Sequence, residues 1–197
     1  MTRGAVADSL AEMLHTGDPA LHRLSVEDVF RMYETGVLGP EERVELIDGV
    51  LVDVSPPGPD HASAVSWLTR HFVMGCPDAE VRVQDALLVA GGFVLPDIMV
   101  VEPVPRGELP STAVLVVEVS VTTVRHDAAK ASRYARAGVG EYWLVDVAAR
   151  VARVHQEPSA DGYRRVVVHD DRMVLSPPAG APPVAVGELL GPPPSRA

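Results

Sequence analysis

The chain has 197 residues, 47% of them hydrophobic, which fits one folded domain with a substantial core and excludes an intrinsically disordered chain. Its formal net charge of −10 argues against a broad nucleic-acid-binding surface, because such surfaces are usually basic, although metal ions can supply positive charge locally. Cys76 is the single cysteine, so no internal disulfide can form. The sequence shows no apolar run near the ~20 residues that span a bilayer and no signal-peptide pattern. We therefore expect a cytoplasmic protein with no membrane partner.

The first predicted elements are an arm, a short helix and a hairpin. Residues 1–23 show little periodicity and are expected to form a variable N-terminal arm. Ser25 and Asp28 form a capping-box pattern, which predicts a helix over 26–34. Two β-rich runs on either side of an Asp-Gly pair then predict a β-hairpin over 44–54.

The next predicted elements are a helix and a pair of strands. A proline-rich loop is followed by Asp60, which is expected to be the N-cap of an amphipathic helix ending near Met74. Alternating residues over 80–90 predict one strand, and a Gly-Gly turn leads into a second strand over 93–101.

The remaining elements indicate the fold class. In chain order they are a strand over 113–120, a helix over 126–137, a strand over 141–147, and two antiparallel strands over 151–156 and 163–169. This irregular order predicts an α/β fold with a mixed sheet flanked by helices and an antiparallel hairpin appendage. We expect one domain over residues 24–191, followed by a disordered tail over 192–197.

Two carboxylates interrupt apolar strands, where an unpaired charge costs several kcal/mol. Asp97 lies within FVLPDIMVV, and Glu118 lies within AVLVVEVS. A neighbouring cation, a hydrogen-bond cluster or a raised pKa would compensate for the burial of each acid. For one isolated strand acid, an ion pair with arginine explains the residue about as well as a functional site does.

The only lysine favours a functional site. Of 17 basic residues 16 are arginines, and the exception, Lys130, lies on the helix that follows the Glu118 strand. Two carboxylates and a strand-end carbonyl, such as that of Val119, provide the oxygen ligands that Mg²⁺ prefers. A compact ammonium beside them is suited to stabilising charge on a scissile phosphate or orienting a water molecule.

The order of these residues resembles the PD-(D/E)xK nuclease core. Pro96-Asp97 and Glu118-Val119-Ser120 follow that pattern, except that Ser120 stands where the lysine normally lies. In this respect the chain resembles the Uma-two (Uma2) family of putative restriction endonucleases, in which the lysine lies on the following helix. Further stretches that resemble this family are RVELIDGVLVDVSPPGPDH, LPDIMVVEP, VVEVS and DAAKASRYARAGVGEYWLVD.

The resemblance covers roughly residues 25–190 and implies a restriction-endonuclease-like fold, a divalent metal (Mg²⁺ or Mn²⁺) and a homodimer. It does not supply the biological substrate, and DNA is the substrate that the nuclease interpretation predicts. It also implies catalytic roles for four residues. The three acids among them, together with the strand-end carbonyl of Val119, are the expected metal ligands. The four residues are Glu45, Asp97, Glu118 and Lys130.

Three other side chains are candidates for substrate contact or support. Gln84 would hydrogen-bond Asp97 or a phosphate, His61 would contact phosphate or relay a proton, and Tyr134 shares a helix face with Lys130. Each residue also has a simpler explanation: Gln84 as an edge-strand amide, His61 as a histidine at a helix start, and Tyr134 as a tyrosine packed on the sheet. An exposed acid at a strand start explains Glu45 equally well.

Three functions remain open at this point. The first is a metal-dependent DNA endonuclease, which the retained acids and the lysine favour. The second is a catalytically silent module that keeps the fold for interaction or regulation, which the acidic net charge favours. The third, a metal-independent glycosidase, is weaker, because aromatic residues that could bind sugars make up only 5% of the chain.

Overall fold

The computed structural model describes residues 22–121 and 127–192 and confirms a mixed α/β fold. The first 21 residues of the predicted arm and residues 193–197 of the predicted tail lie outside the described range, so both remain predictions, as do the domain limits. The helices are α1 (Val26–Glu34), α2 (Pro59–Gly75), α3 (Asp127–Arg136) and α4 (Val186–Leu190). None of these helices is long and apolar enough to cross a membrane.

The described strands form three sheets. The six-stranded sheet contains β3 (Glu80–Val83), β6 (Ile98–Val101), β7 (Leu115–Ser120), β8 (Glu141–Asp146), β9 (Val151–Ser159) and β10 (Gly162–Asp170). The four-stranded sheet contains β1 (Val44–Ile47), β2 (Val50–Asp53), β4 (Leu87–Val89) and β5 (Gly92–Val94). A small pair is formed by β11 (Val174–Leu175) and β12 (Val184–Ala185).

The six-stranded sheet forms the central layer, in the order β10-β9-β8-β7-β6-β3. Strands β7 and β8 are parallel and are joined through α3, whereas the other described pairs of this sheet are antiparallel. Because side chains alternate along a strand, Val117 faces the α2 side with Leu68 and Phe72, while Val116 faces the α3 side with Tyr134. Both faces of the sheet are therefore covered, and an acid at the next α3-facing position, Glu118, is buried.

The predicted strands over 80–90 and 93–101 are each broken in two, which corrects the sequence interpretation. Gln84 has a positive φ of 51° and separates β3 from β4, so it does not lie inside a strand. Pro96 lies between β5 and β6 and has no backbone N–H to donate, so Asp97 precedes β6 instead of lying within it. The two breaks face each other, because the Gln84 N–H donates to the Pro96 carbonyl at 3.0 Å. At this point the two neighbouring segments pass from the six-stranded sheet to the four-stranded sheet.

The ends of other elements also differ from expectation. Helix α2 begins at Pro59 with Gly58 as its N-cap, so the predicted N-cap, Asp60, lies inside the first turn. Proline suits the first helical position, since its fixed φ matches a helix and its missing N–H would have no partner there. The Ser25–Asp28 capping box of α1 is confirmed, with both reciprocal hydrogen bonds present. The β9–β10 hairpin is longer than predicted and reaches Ser159 and Gly162.

Candidate active site

A cleft of about 390 Å³ opens where the two large sheets separate. Its walls come from the β1–β2 hairpin and the loop before α2, and its floor comes from the break before β6 and the end of β7. Its charged and amide-bearing residues are Arg43, Glu45, Asp53, His61, Gln84, Asp97, Glu118 and Lys130. The cleft thus contains seven of the predicted residues, Val119 among them, while Tyr134 lies beneath it.

Asp97 is fixed by two donors from different elements. Its Oδ2 lies 2.9 Å from Nε2 of His61, in the first turn of α2, and accepts a hydrogen bond of 2.8 Å from the Val119 N–H. Only 8% of Asp97 is exposed, so these contacts offset much of the cost of burying the carboxylate. They also leave Oδ1 as the oxygen available for a further contact.

Glu118 is held by two side chains of α3. Lys130 Nζ donates to Glu118 Oε1 at 3.0 Å, and the hydroxyl of Tyr134 donates to the same oxygen at 2.5 Å. The donors are four residues apart, so one face of the helix presents both to the strand. Tyr134 is fully buried, whereas 29% of the Lys130 side chain is exposed to the cleft.

Burial dominates the ionisation of this group. It raises the pKa of Glu118 to about 7, with the Asp97 charge adding to the effect and Lys130 and Tyr134 opposing it. For Lys130, burial alone would lower the pKa, but the carboxylates of Glu118, Glu45 and Asp97 outweigh it and raise the pKa. Lys130 is therefore an ammonium at neutral pH and is suited to stabilising charge, not to accepting a proton.

Glu45 and Gln84 lie at the junction of the two sheets. Glu45 Oε1 accepts a hydrogen bond of 3.0 Å from the Leu95 N–H, which ties β1 to the segment before β6. Glu45 is buried, so the interpretation of it as an exposed acid at a strand start is wrong. Gln84 lines the cleft beside the Asp97 segment through its backbone bonds to Pro96 and Asp97.

His61 makes a contact that its position at a helix start did not reveal. The hydrogen bond to Asp97 raises its pKa, although burial opposes the effect. Its other ring nitrogen, Nδ1, is buried and has no hydrogen-bond partner among the described residues. His61 thus orients Asp97 and keeps a second polar atom near the cleft.

The donor set suits an oxygen-preferring divalent cation. Within residues 22–121 and 127–192, no three His, Cys, Asp or Glu side chains form a preassembled metal cluster. Mg²⁺ does not need one, because it is commonly bound by one or two carboxylates and keeps several water molecules. Asp97 and Glu118 each accept their described hydrogen bonds through one oxygen, which leaves a second oxygen for an ion. Cysteine is absent from the cleft, which disfavours a thiolate-bound metal.

Sequence reasoning missed Arg43, which lines the cleft beside Glu45. A signal for it was present, because residues two apart on a strand share one side and Arg43 precedes Glu45 by two positions. Asp53 was also missed. It lies opposite Val44 on the paired strand β2, a register that becomes predictable once the hairpin turn is fixed.

Comparisons with known proteins agree with this fold. The model of the Uma2 family, described as putative restriction endonuclease, matches residues 26–186. A solved structure of a putative nuclease belonging to DUF820 from Anabaena variabilis ATCC 29413 superposes with a TM-score of 0.70 at 14% sequence identity. The match covers 85% of this chain and 97% of that one, and at such low identity it shows the shared fold alone. No curated protein matches the chain.

Proposed function

Because this chain belongs to the Uma2 family of putative restriction endonucleases, we propose that it is a divalent-metal-dependent DNA endonuclease. One observation carries the proposal: the break before β6, the end of β7 and one face of α3 bring Asp97, Glu118 and Lys130 into a single cleft. Ion pairs that only stabilise the fold do not require a cleft. A protein that kept this fold only as a scaffold would have no evident need for two buried acids that face a cleft.

Asp97, Glu118 and the Val119 carbonyl would hold Mg²⁺ or Mn²⁺, with Glu45 reaching the ion through water. When bound, such an ion activates a water molecule for attack on phosphorus and neutralises charge on the phosphate. His61 and the Val119 N–H would keep Asp97 in a fixed orientation, so that little reorganisation is needed when the ion arrives.

Lys130 would stabilise the negative charge that develops on the phosphate in the transition state. The ammonium is already in the cleft, 3.0 Å from Glu118, and a small rotation of its flexible side chain would bring it to a phosphate oxygen. Tyr134 would hold Glu118 in place during that movement, since its own hydrogen bond to Oε1 does not depend on the lysine. Gln84 would contact the substrate or Asp97 from the floor of the cleft.

A second candidate is a nuclease-fold module without catalytic activity. Its support is the net charge of −10, which opposes the approach of DNA at low ionic strength. In such a protein the Glu118–Lys130 pair would be a structural ion pair and the cleft would have lost its substrate. The two candidates differ in one measurable property, hydrolysis.

The deciding experiment is incubation of supercoiled plasmid with the purified protein in Mg²⁺ or Mn²⁺, with EDTA and the Lys130→Ala variant as controls. Nicking that requires the ion and disappears in the variant would support the endonuclease. Absence of nicking across metals, double-stranded and single-stranded substrates would reject it in favour of the silent module. The homodimer and the cytoplasmic location stay predictions, and sedimentation equilibrium would test the former.

A further inference from the structure

Arg43 combines two features, the lack of a side-chain partner among the described residues and a place in the cleft. Within the described part of the chain its guanidinium makes no ion pair and no hydrogen bond. The arginines that do lie within ion-pair distance of a carboxylate are Arg82, Arg133, Arg150 and Arg153. Arg43 nevertheless lines a cleft that contains four carboxylates.

The backbone fixes where Arg43 emerges. Its carbonyl accepts a hydrogen bond of 2.9 Å from the Val54 N–H, which extends the β1–β2 ladder one residue beyond the Val44–Asp53 pair. Arg43 and Glu45 therefore share one side of an extended strand and are separated by about 7 Å along it. Glu45 points to the floor, where it meets Leu95, so Arg43 lies farther out on the same wall.

The other cations of the cleft have partners. Lys130 is bound to Glu118, and His61 is bound to Asp97, both at the floor. Arg43 is close enough to His61 to lower its pKa slightly against the effect of Asp97, which agrees with a position at the cleft wall. It is thus the cleft cation that remains available for a ligand arriving from outside.

We propose that Arg43 binds the phosphate next to the scissile one, so that the cleft selects a polynucleotide strand over an isolated phosphodiester. This rests on the proposed nuclease function, because the scissile phosphate must lie at Asp97 and Glu118. Arg43 leaves the backbone about 7 Å farther along the strand than Glu45, whose carboxylate contacts the floor, so the two positions along this wall can meet different parts of one bound strand. A guanidinium suits the contact, since its donors match two phosphate oxygens at once.

The test compares two substrates that differ in the number of phosphates. Bis(p-nitrophenyl) phosphate carries one phosphate, and a short oligonucleotide carries several. Arg43→Gln should lower kcat/KM for the oligonucleotide about tenfold or more, mainly through KM, and leave the small diester unchanged. Arg106→Gln, the same change at an exposed loop residue outside the cleft, should affect neither substrate.

Binding provides a second measurement that does not depend on turnover. Fluorescence anisotropy of the labelled oligonucleotide in Ca²⁺ should show that Arg43→Gln weakens affinity and lowers the salt dependence by about one phosphate contact. A proportional loss on both substrates would overturn the inference, since Arg43 would then act at the scissile phosphate or on the fold. Unchanged oligonucleotide binding and cleavage would also overturn it, while leaving the nuclease proposal intact. Failure of the wild-type chain to bind or cleave either substrate would overturn the nuclease proposal itself, and the Arg43 contact with it.

Discussion

Replacing Glu118 by glutamine should remove a pH-dependent cost of burial from the metal-free protein. Burial raises the pKa of Glu118 to about 7 from its ordinary value of 4.5. Because the folded-state pKa lies above the unfolded one, the stabilising effect of the protonated acid is complete below pH 4.5. That stability is lost as the pH rises from 4.5 through 7, because the acid ionises first in the unfolded chain and so lowers the free energy of the unfolded state.

The size of the effect follows from the two pKa values. The gap between 4.5 and about 7 corresponds to about 3 kcal/mol in the free energy of unfolding. Glutamine is nearly isosteric and does not titrate, so the variant should lack that part of the pH dependence. Glutamine makes weaker bonds to Lys130 and Tyr134 than the ionised carboxylate does, and the pKa of about 7 already includes the effect of those bonds.

The measurement is urea unfolding in EDTA between pH 4.5 and 8 for the wild-type protein and Glu118→Gln. The wild type should lose about 3 kcal/mol more than the variant over this range. Glu102→Gln makes the same chemical change at an exposed residue and serves as the control. Parallel pH profiles for the wild type and Glu118→Gln would refute the argument from burial. In Mg²⁺ the wild type should instead be the more stable of the two proteins, since Glu118→Gln loses a carboxylate ligand. Calorimetry would show weaker ion binding by the variant.

Three further variants test the neighbours of this acid. Lys130→Ala should abolish plasmid cleavage while calorimetry still detects metal binding, and cleavage at the parent rate would exclude a role for the ammonium. Tyr134→Phe removes the 2.5 Å hydrogen bond to Glu118, so metal affinity should decline at pH 7 and recover at higher pH; titrations at several pH values would show whether that recovery occurs. His61→Ala should destabilise the protein most below pH 6.5 and less as the pH rises, because the bond to Asp97 raises the histidine pKa; thermal unfolding that shows an equal loss at every pH would contradict this.

The centre of the site was predictable because its residues conflict with their surroundings. Burying an acid in an apolar strand is costly, and Glu118 is recognisable as such an acid because it is the only charged residue in AVLVVEVS. Lys130 stands out because arginine is otherwise the only basic residue apart from histidine. The helix spacing also correctly placed Tyr134 on the Lys130 face, although the spacing could not show that its hydroxyl reaches Glu118.

The rest of the site depends on breaks that the sequence pattern conceals. Residues 80–90 alternate whether they belong to one sheet or pass between two, so periodicity alone predicts a single strand. The break is marked by the positive φ of Gln84, a conformation that side-chain type only weakly predicts. His61 was undecided for a related reason: its partner, Asp97, is 36 residues away, and only the packing of α2 against the sheet brings them together.

The charge of the cleft explains how an acidic chain could act on an anionic substrate. Its carboxylates are Glu45, Asp53, Asp97 and Glu118, and its cations are Arg43, Lys130 and, when protonated, His61. With all four carboxylates ionised and no metal ion, the net charge of these groups is −2, or −1 when His61 is protonated, and a phosphate would meet carboxylates at the floor. A divalent ion cancels that negative charge, so ion and DNA should each raise the affinity of the other by the same factor. Mg²⁺ affinity measured with and without a non-cleavable oligonucleotide tests this reciprocity. Independent binding would mean that the two ligands do not share the cleft.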